Sequence, residues 1–167
     1  MSSGRKVLYV DYSKCIGCET CEYVCKFVHD VPRIQMTRTV DGVMVPLYCH
    51  HCEEPKCMRA CKRGAIVQDH DGAVIHQYLL CRGCESRSCI LACPYGAMLE
   101  TDKGVMIAKC DLCASRRQLG MNPACAEMCP CGAIQYVDEA DLAALKTEEA
   151  ELAEARVLRH IRKPHKD

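Results

Sequence analysis

The chain has 167 residues, with 22 lysines and arginines against 22 aspartates and glutamates, a zero balance that excludes the strongly basic character of a nucleic-acid binder. Its length suits one compact domain or two small modules and leaves no room for a large catalytic domain beside them. With no tryptophan, one phenylalanine and 17 cysteines, aromatic packing cannot fill the interior, and small scaffolds of this kind are stapled by disulfides or built around metal.

The N-terminal stretch MSSGRKVLYVDYSKC has neither an apolar signal region nor a twin-arginine pair, and no run of about 18 apolar residues follows it. A cytoplasmic protein without a membrane span is therefore expected. In a reducing compartment cysteines are more often metal ligands or reactive groups than disulfides, and an odd count fits poorly with full pairing. Cys15, Cys18, Cys21 and Cys25 open the pattern as Cys-x-x-Cys-x-x-Cys-x-x-x-Cys, with Lys26 where a proline commonly follows. A short helix is expected across ETCEYVCKFVHD, and TRTVDGVMV reads as a loose hairpin.

The second run, Cys49, Cys52, Cys57 and Cys61, and the third, Cys81, Cys84, Cys89 and Cys93, widen the middle gap to four residues. The fourth, Cys110, Cys113, Cys125 and Cys129, widens it to eleven. Every run still opens Cys-x-x-Cys and closes Cys-x-x-x-Cys. The segments CKRGAI, CPYGAM and CPCGAI repeat Cys-x-x-Gly-Ala-apolar, and in that frame Cys131 aligns with Arg63 and Tyr95, so it is not expected to be a ligand. The first two are followed by IVQDHDGAVI and MLETDKGVMI, which read as hairpins turning at Asp/Gly. The stretch from Ala114 to Ala124, with Arg116 and Arg117, reads as a connection facing either a partner or solvent. From Asp138 the chain loses glycine and cysteine and predicts a helix with a break near Thr147, ending by Pro164. Leu142, Leu145, Leu152, Leu158 and Ile161 form its expected apolar stripe, for packing on its own modules or for docking to another subunit.

The spacing favours iron-sulfur chemistry. A 4Fe-4S cubane has an iron at each corner, and a tight triplet of cysteines wraps three corners while the last cysteine of a run reaches a neighbouring cluster. Zinc needs four tetrahedral ligands, usually from two separated Cys-x-x-Cys pairs, which the recurring triplet-plus-one pattern does not resemble. The expected architecture is α+β, a duplicated pair of bacterial-ferredoxin-like modules with pseudo-twofold symmetry, cored by clusters.

In run order, middle-run spacing, the long fourth gap and the Cys93-Pro94 and Cys129-Pro130 ends, residues 7 to about 137 resemble the four-cluster electron-transfer subunits of molybdenum and tungsten oxidoreductases. Relatives of that kind serve formate dehydrogenases, hydrogenase complexes, CO dehydrogenase and tungsten aldehyde oxidoreductases. The resemblance implies four 4Fe-4S clusters: Cys15, Cys18, Cys21 and Cys129 hold the first, and Cys25, Cys110, Cys113 and Cys125 the second. Cys49, Cys52, Cys57 and Cys93 hold the third, and Cys61, Cys81, Cys84 and Cys89 the fourth. It also implies an outer module of residues 1–45 and 95–137, an inserted module of residues 46–94, and a helical extension over 138–167.

Each thiolate-bound cubane carries about −2 when oxidised, roughly −8 for four. Lys26, Lys56, Arg59, Lys62, Arg63, Arg82, Arg87 and Lys109 lie beside the cysteines and read chiefly as charge balance, with tuning of potentials and docking as functional alternatives. His50 and His51 are expected to be solvated or hydrogen-bonding groups, not ligands. No catalytic signature occurs. The expected role is an electron relay between a tungsten- or molybdenum-cofactor subunit and a second partner, such as a flavin subunit, ferredoxin or hydrogenase, with further copies of the chain as another neighbour. A freely diffusing polyferredoxin or a redox sensor is the alternative.

Overall fold

The computed structural model describes residues 4–101 and 107–161, the side chains of 160 and 161 excepted. Its elements are short. Strand β1 (Lys6–Val10) alternates towards burial and is followed by helix α1 (Thr20–His29), then the hairpin β2 (Gln35–Arg38) and β3 (Met44–Leu47). Helix α2 (Lys56–Ala60) leads to the hairpin β4 (Ile66–Gln68) and β5 (Val74–His76), and helices α3 (Tyr78–Cys81) and α4 (Ser88–Leu91) follow. Helices α5 (Ala114–Gln118) and α6 (Ala124–Glu127) precede strand β6 (Ile134–Asp138), and the tail forms α7 (Leu142–Leu145) and α8 (Glu148–Ile161).

Three two-stranded antiparallel sheets result, β1 with β6, β2 with β3 and β4 with β5. Both expected hairpins turn alike: Thr39 and Asp69 accept the N–H of Gly42 and Gly72 at 2.9 and 3.0 Å. Both glycines hold positive φ, 85° and 77°. The hairpin expected at MLETDKGVMI is represented by one bridge, Leu99 with Ala108, and its turn lies outside the described residues. The β1–β6 pair was not legible in the sequence. It places Val7 opposite Val137 and Val10 opposite Ile134, joining the two ends of the cysteine-bearing region with no turn between them to announce it.

Apolar burial falls into two cores. Leu8, Val10, Ile34, Val45, Leu112 and Ile134 build one, where α1 packs on α6. Ala65, Ile66, Val74, Met98 and Ile107 build the other, where α2 packs on α4. Cysteines stand in both cores where aliphatic side chains would otherwise be.

Two expectations need correction. The stretch 114–124 is not an open connection. Arg117, with a side chain only 8% exposed, pairs with Asp69 at 2.6 Å and with Asp71 on the β4–β5 turn, while Arg116 bonds the Asn122 carbonyl at 2.9 Å and pairs with Glu127. The apolar stripe of the tail is also different. Ala150 and Val157 are buried and Ala153 packs beside them, whereas Leu152 is 65% exposed. Residues three and seven apart share a helix face, and Leu152, two on from Ala150, points away from it. Leu142, Leu145 and Leu158 are half-buried, and the Ile161 side chain lies outside the described residues. The break falls where expected, with Thr147 Oγ1 accepting the Ala150 N–H at 3.2 Å, and Arg156 pairs with Asp41 on the β2–β3 turn. The tail therefore packs on its own chain. Among the described residues no helix is long and apolar enough to cross a membrane.

Candidate metal centres

Each closing Cys-x-x-x-Cys begins on a short helix. Cys21 and Cys25 are on α1; Cys57 is on α2 with Cys61 capping its end; Cys89 and Cys125 are on α4 and α6, with Cys93 and Cys129 just beyond. Positions i and i+4 stand one turn apart, about 5.4 Å along the axis, so the two sulfurs of a pair can serve adjacent sites. The opening Cys-x-x-Cys segments are bent by left-handed residues: Gly17 and Glu19, His51, Gly83, and Leu112 with Cys113. Such residues turn successive backbone N–H groups to one side, which suits an anionic group. Gly17 is also confined, since a Cβ there would stand 2.9 Å from that of Met44.

The repeated Cys-x-x-Gly segments form one turn three times over. Gly64, Gly96 and Gly132 have φ of 62°, 62° and 63° and donate to the carbonyls of Cys61, Cys93 and Cys129 at 3.1, 3.3 and 3.2 Å.

Mutual influence among the thiols sorts them into neighbourhoods. Burial pushes the Cys15 thiol up, and the sulfurs of Cys131, Cys129 and Cys18 add to it. Burial, then Cys15, Cys18 and Cys129, push Cys21 up to about 12. Around Cys125, raised chiefly by burial, stand Cys113, Cys25 and Cys21, and around the half-buried Cys110 stand Cys49 and Cys125. Burial raises Cys52, and raises Cys57 to about 11, with Cys49 and Cys93 adjacent to both. Cys81 and Cys89, likewise raised first by burial, both feel Cys61. Cys21 also acts on Cys125, and Cys49 on Cys110, across these neighbourhoods.

Two of the sets line small pockets. Cys25, Cys110, Cys113 and Cys125 line one together with Leu8, Ile34 and Tyr48. Cys61, Cys81, Cys84 and Cys89 line the other with Ala65, Ile66 and Ile107. Buried thiols crowded in this way ionise only if a cationic group joins them. Backbone N–H groups already point at three of the sulfurs: Arg33 to Cys25 and Ala65 to Cys61 at 3.2 Å, and Leu112 to Cys110 at 3.4 Å. Among the described residues no three Cys, His, Asp or Glu side chains converge closely enough for a single ion, and a cubane takes its four thiolates at separate corners. This donor set fits an iron-sulfur cluster.

Three contacts were not read from the sequence. His29 Nε2 lies 3.4 Å from Cys113 Sγ, its pKa lowered by burial and then by Arg33; four residues after Cys25 on α1, it shares that cysteine's helix face. Arg33 pairs with Asp111 at 2.7 Å. Lys109 is buried and its ammonium stands 3.3 Å from Cys49 Sγ. Of the other bases beside the cysteines, Lys26, Lys56, Arg59, Lys62, Arg63 and Arg82 are exposed and Arg87 is half-buried. His50 is stacked between Tyr48 and Tyr95, at 4.4 and 3.8 Å. His51 is buried and accepts the Val74 N–H at Nδ1, 3.0 Å away. Neither histidine is simply solvated. Cys131 Sγ lies 3.8 Å from Cys129 Sγ, so the cysteine outside the repeat frame is beside the first set.

Comparison with known proteins gives a consistent picture. Residues 40–139 match the 4Fe-4S dicluster domain and residues 8–28 the 4Fe-4S binding domain. The chain is 32% identical to the B subunit of the anaerobic dimethyl sulfoxide reductase of Escherichia coli (strain K12) over an alignment of 180 residues, covering 94% of this protein and 84% of that one. It is 31% identical to the thiosulfate reductase electron transfer subunit of Salmonella typhi over 156 residues, 84% of this protein and 80% of that one. Against the nitrate-inducible formate dehydrogenase iron-sulfur subunit of Escherichia coli (strain K12) the identity is 30% over 176 residues, 89% and 57% of the two proteins.

Proposed function

The chain belongs to the 4Fe-4S dicluster family of electron-transfer subunits of oxidoreductase complexes, and from that premise we propose that it relays single electrons through a row of four 4Fe-4S clusters. The four sets are Cys15, Cys18, Cys21 and Cys129; Cys25, Cys110, Cys113 and Cys125; Cys49, Cys52, Cys57 and Cys93; and Cys61, Cys81, Cys84 and Cys89. The observation that carries this reading is that each closing Cys-x-x-x-Cys begins on a short helix, its second cysteine lying on α1 or at or just past the end of α2, α4 and α6. Each such pair then offers a ligand to each of two adjacent clusters, and the pairings of α1 with α6 and α2 with α4 repeat the arrangement. Two ferredoxin-like modules related by a pseudo-twofold follow, an outer one of residues 1–45 and 95–137 and an inserted one of residues 46–94.

When bound, the clusters supply the one-electron chemistry; the chain supplies spacing, insulation and surfaces. N–H groups aimed at sulfur stabilise the thiolate form, and burial excludes water. The two ends of the row carry exposed apolar side chains, Ile16 at 69% and Met128 at 57% near the first set, Leu79 at 82% and Leu91 at 89% near the fourth. Such positions suit contact with redox partners. We assign one end to a molybdenum- or tungsten-cofactor catalytic subunit, of the formate dehydrogenase or aldehyde oxidoreductase type, and the other to a second redox partner, within the cytoplasm. The relatives' names, from a dimethyl sulfoxide reductase to a formate dehydrogenase, support a relay that serves several catalytic chemistries.

Breaking the row within the inserted module tests this. Cys61→Ser or Cys93→Ser is expected to abolish electron transfer between the copurifying catalytic subunit and its acceptor, yet leave that subunit's reaction with an artificial dye largely intact. Unchanged transfer to the acceptor would rule out a single row.

A further inference from the structure

Among the described residues Lys109 is the one buried lysine or arginine, with 2% of its surface exposed. It directly precedes Cys110 in the second thiol set, and its ammonium crosses to the third. There it donates to Cys49 Sγ at 3.3 Å, to the Cys110 carbonyl at 2.8 Å, and to the carbonyl of Val74 on β5. These contacts contain no carboxylate. A cation taken out of water needs compensating negative charge, and the negative groups facing this one are sulfurs.

We propose that Lys109 is the fixed charge that raises the reduction potentials of the two inner clusters, at the junction between the two modules. The inference rests on the relay reading above. The ammonium touches one thiol of the third set and lies next to the backbone of the second, whereas the first and fourth sets have their bases at the surface. Coulomb attraction is strong for a near, enclosed charge and is screened for exposed ones.

Reduction of a cluster adds one electron, delivered by its neighbour in the row or by a partner, with no bond made or broken and no proton taken from Lys109. The added negative charge is stabilised most where a buried cation faces it. An electron entering at either end is therefore drawn towards the crossing between modules. The other bases that the sequence places beside cysteines do not share this position: Arg59 pairs with Glu54 at 2.5 Å and Arg87 with Glu100.

The test uses the full holoprotein, prepared anaerobically as Lys109→Met, Lys109→Gln and Lys109→Arg, with iron and sulfide counted and each cluster's couple followed by EPR during a redox titration. In Lys109→Met with full iron content, two of the four couples are expected to become harder to reduce by about tenfold in equilibrium constant, equivalent to 59 mV for one electron. The other two should stay in place, and Lys109→Arg should remain close to wild type. No shift, or an equal shift of all four couples, overturns the proposal. Loss of iron from both Lys109→Met and Lys109→Gln with Lys109→Arg intact also overturns it, because the cation would then be needed for assembly instead of tuning. A wild-type protein with fewer than four couples would instead overturn the relay reading.

Discussion

Cys129 and Cys131 stand two positions apart with their sulfurs 3.8 Å from each other, and only the repeat frame separates their roles. Cys131→Ser is expected to keep the full iron content, and Cys129→Ser to lose or convert one cluster; iron analysis of the two variants decides, and the reverse pattern would show that the frame is misaligned there. Gly132 closes the turn that contains both through its φ of 63°, and a Cβ there would meet nothing within 4 Å. Gly132→Ala should therefore cost about 1 kcal/mol from left-handed strain alone, measured as a lowered denaturation midpoint of the holoprotein. The Cys-x-x-Gly turn was legible because all of its parts lie within four residues. His29 against Cys113 and Lys109 against Cys49 were not, because those partners are 84 and 60 residues away, and only packing brings them together.

The hairpins and the tail show how elements are fastened once formed. Arg117 ties α5 to the β4–β5 turn, and burial, which alone would raise Asp69, is outweighed by its hydrogen bonds from Arg117 and the Ala73 N–H, so that its pKa is lowered. Arg117→Met strands Asp69 in a largely enclosed place and should cost about 3 kcal/mol in chemical denaturation, with cluster content unchanged at neutral pH. His76 on β5 has an enclosed Nε2 without a partner, and burial, followed by Arg33 and Lys109, holds its pKa below the ordinary value. The unfolded chain therefore binds the proton more readily, so this contribution to stability is full above about pH 6.5 and declines as pH falls below it. His76→Gln should flatten part of the stability loss between about pH 6.5 and pH 5; an unchanged pH profile would show that His76 does not titrate in that way. The hairpins could be read from Asp/Gly turns between β-branched runs, and the tail's break from Thr147. The face of α8 could not, because leucine content pointed to Leu152 while the neighbouring surface admits Ala150 and Val157.

Across the whole molecule, the polypeptide has small cores, and cysteines complete both of them. The first proposed set joins Cys15 to Cys129, so holding its metal closes most of the chain. Metal binding and folding should be one event: iron chelation is expected to remove far-UV structure, and the apo chain should show no cooperative thermal transition. A sharp apo transition would show that β1–β6 pairing and aliphatic packing suffice. The iron-sulfur character of the chain was legible because four runs repeat the same opening and closing spacings, and such spacing is local to each run. The strand pair that closes the outer region was not, since Lys6–Val10 and Ile134–Asp138 carry no shared motif. The most direct measurement is iron and acid-labile sulfide per chain in anaerobically prepared protein. Four cubanes predict about sixteen of each, whereas about eight of each, or zinc in place of iron and sulfide, would contradict the four-cluster relay.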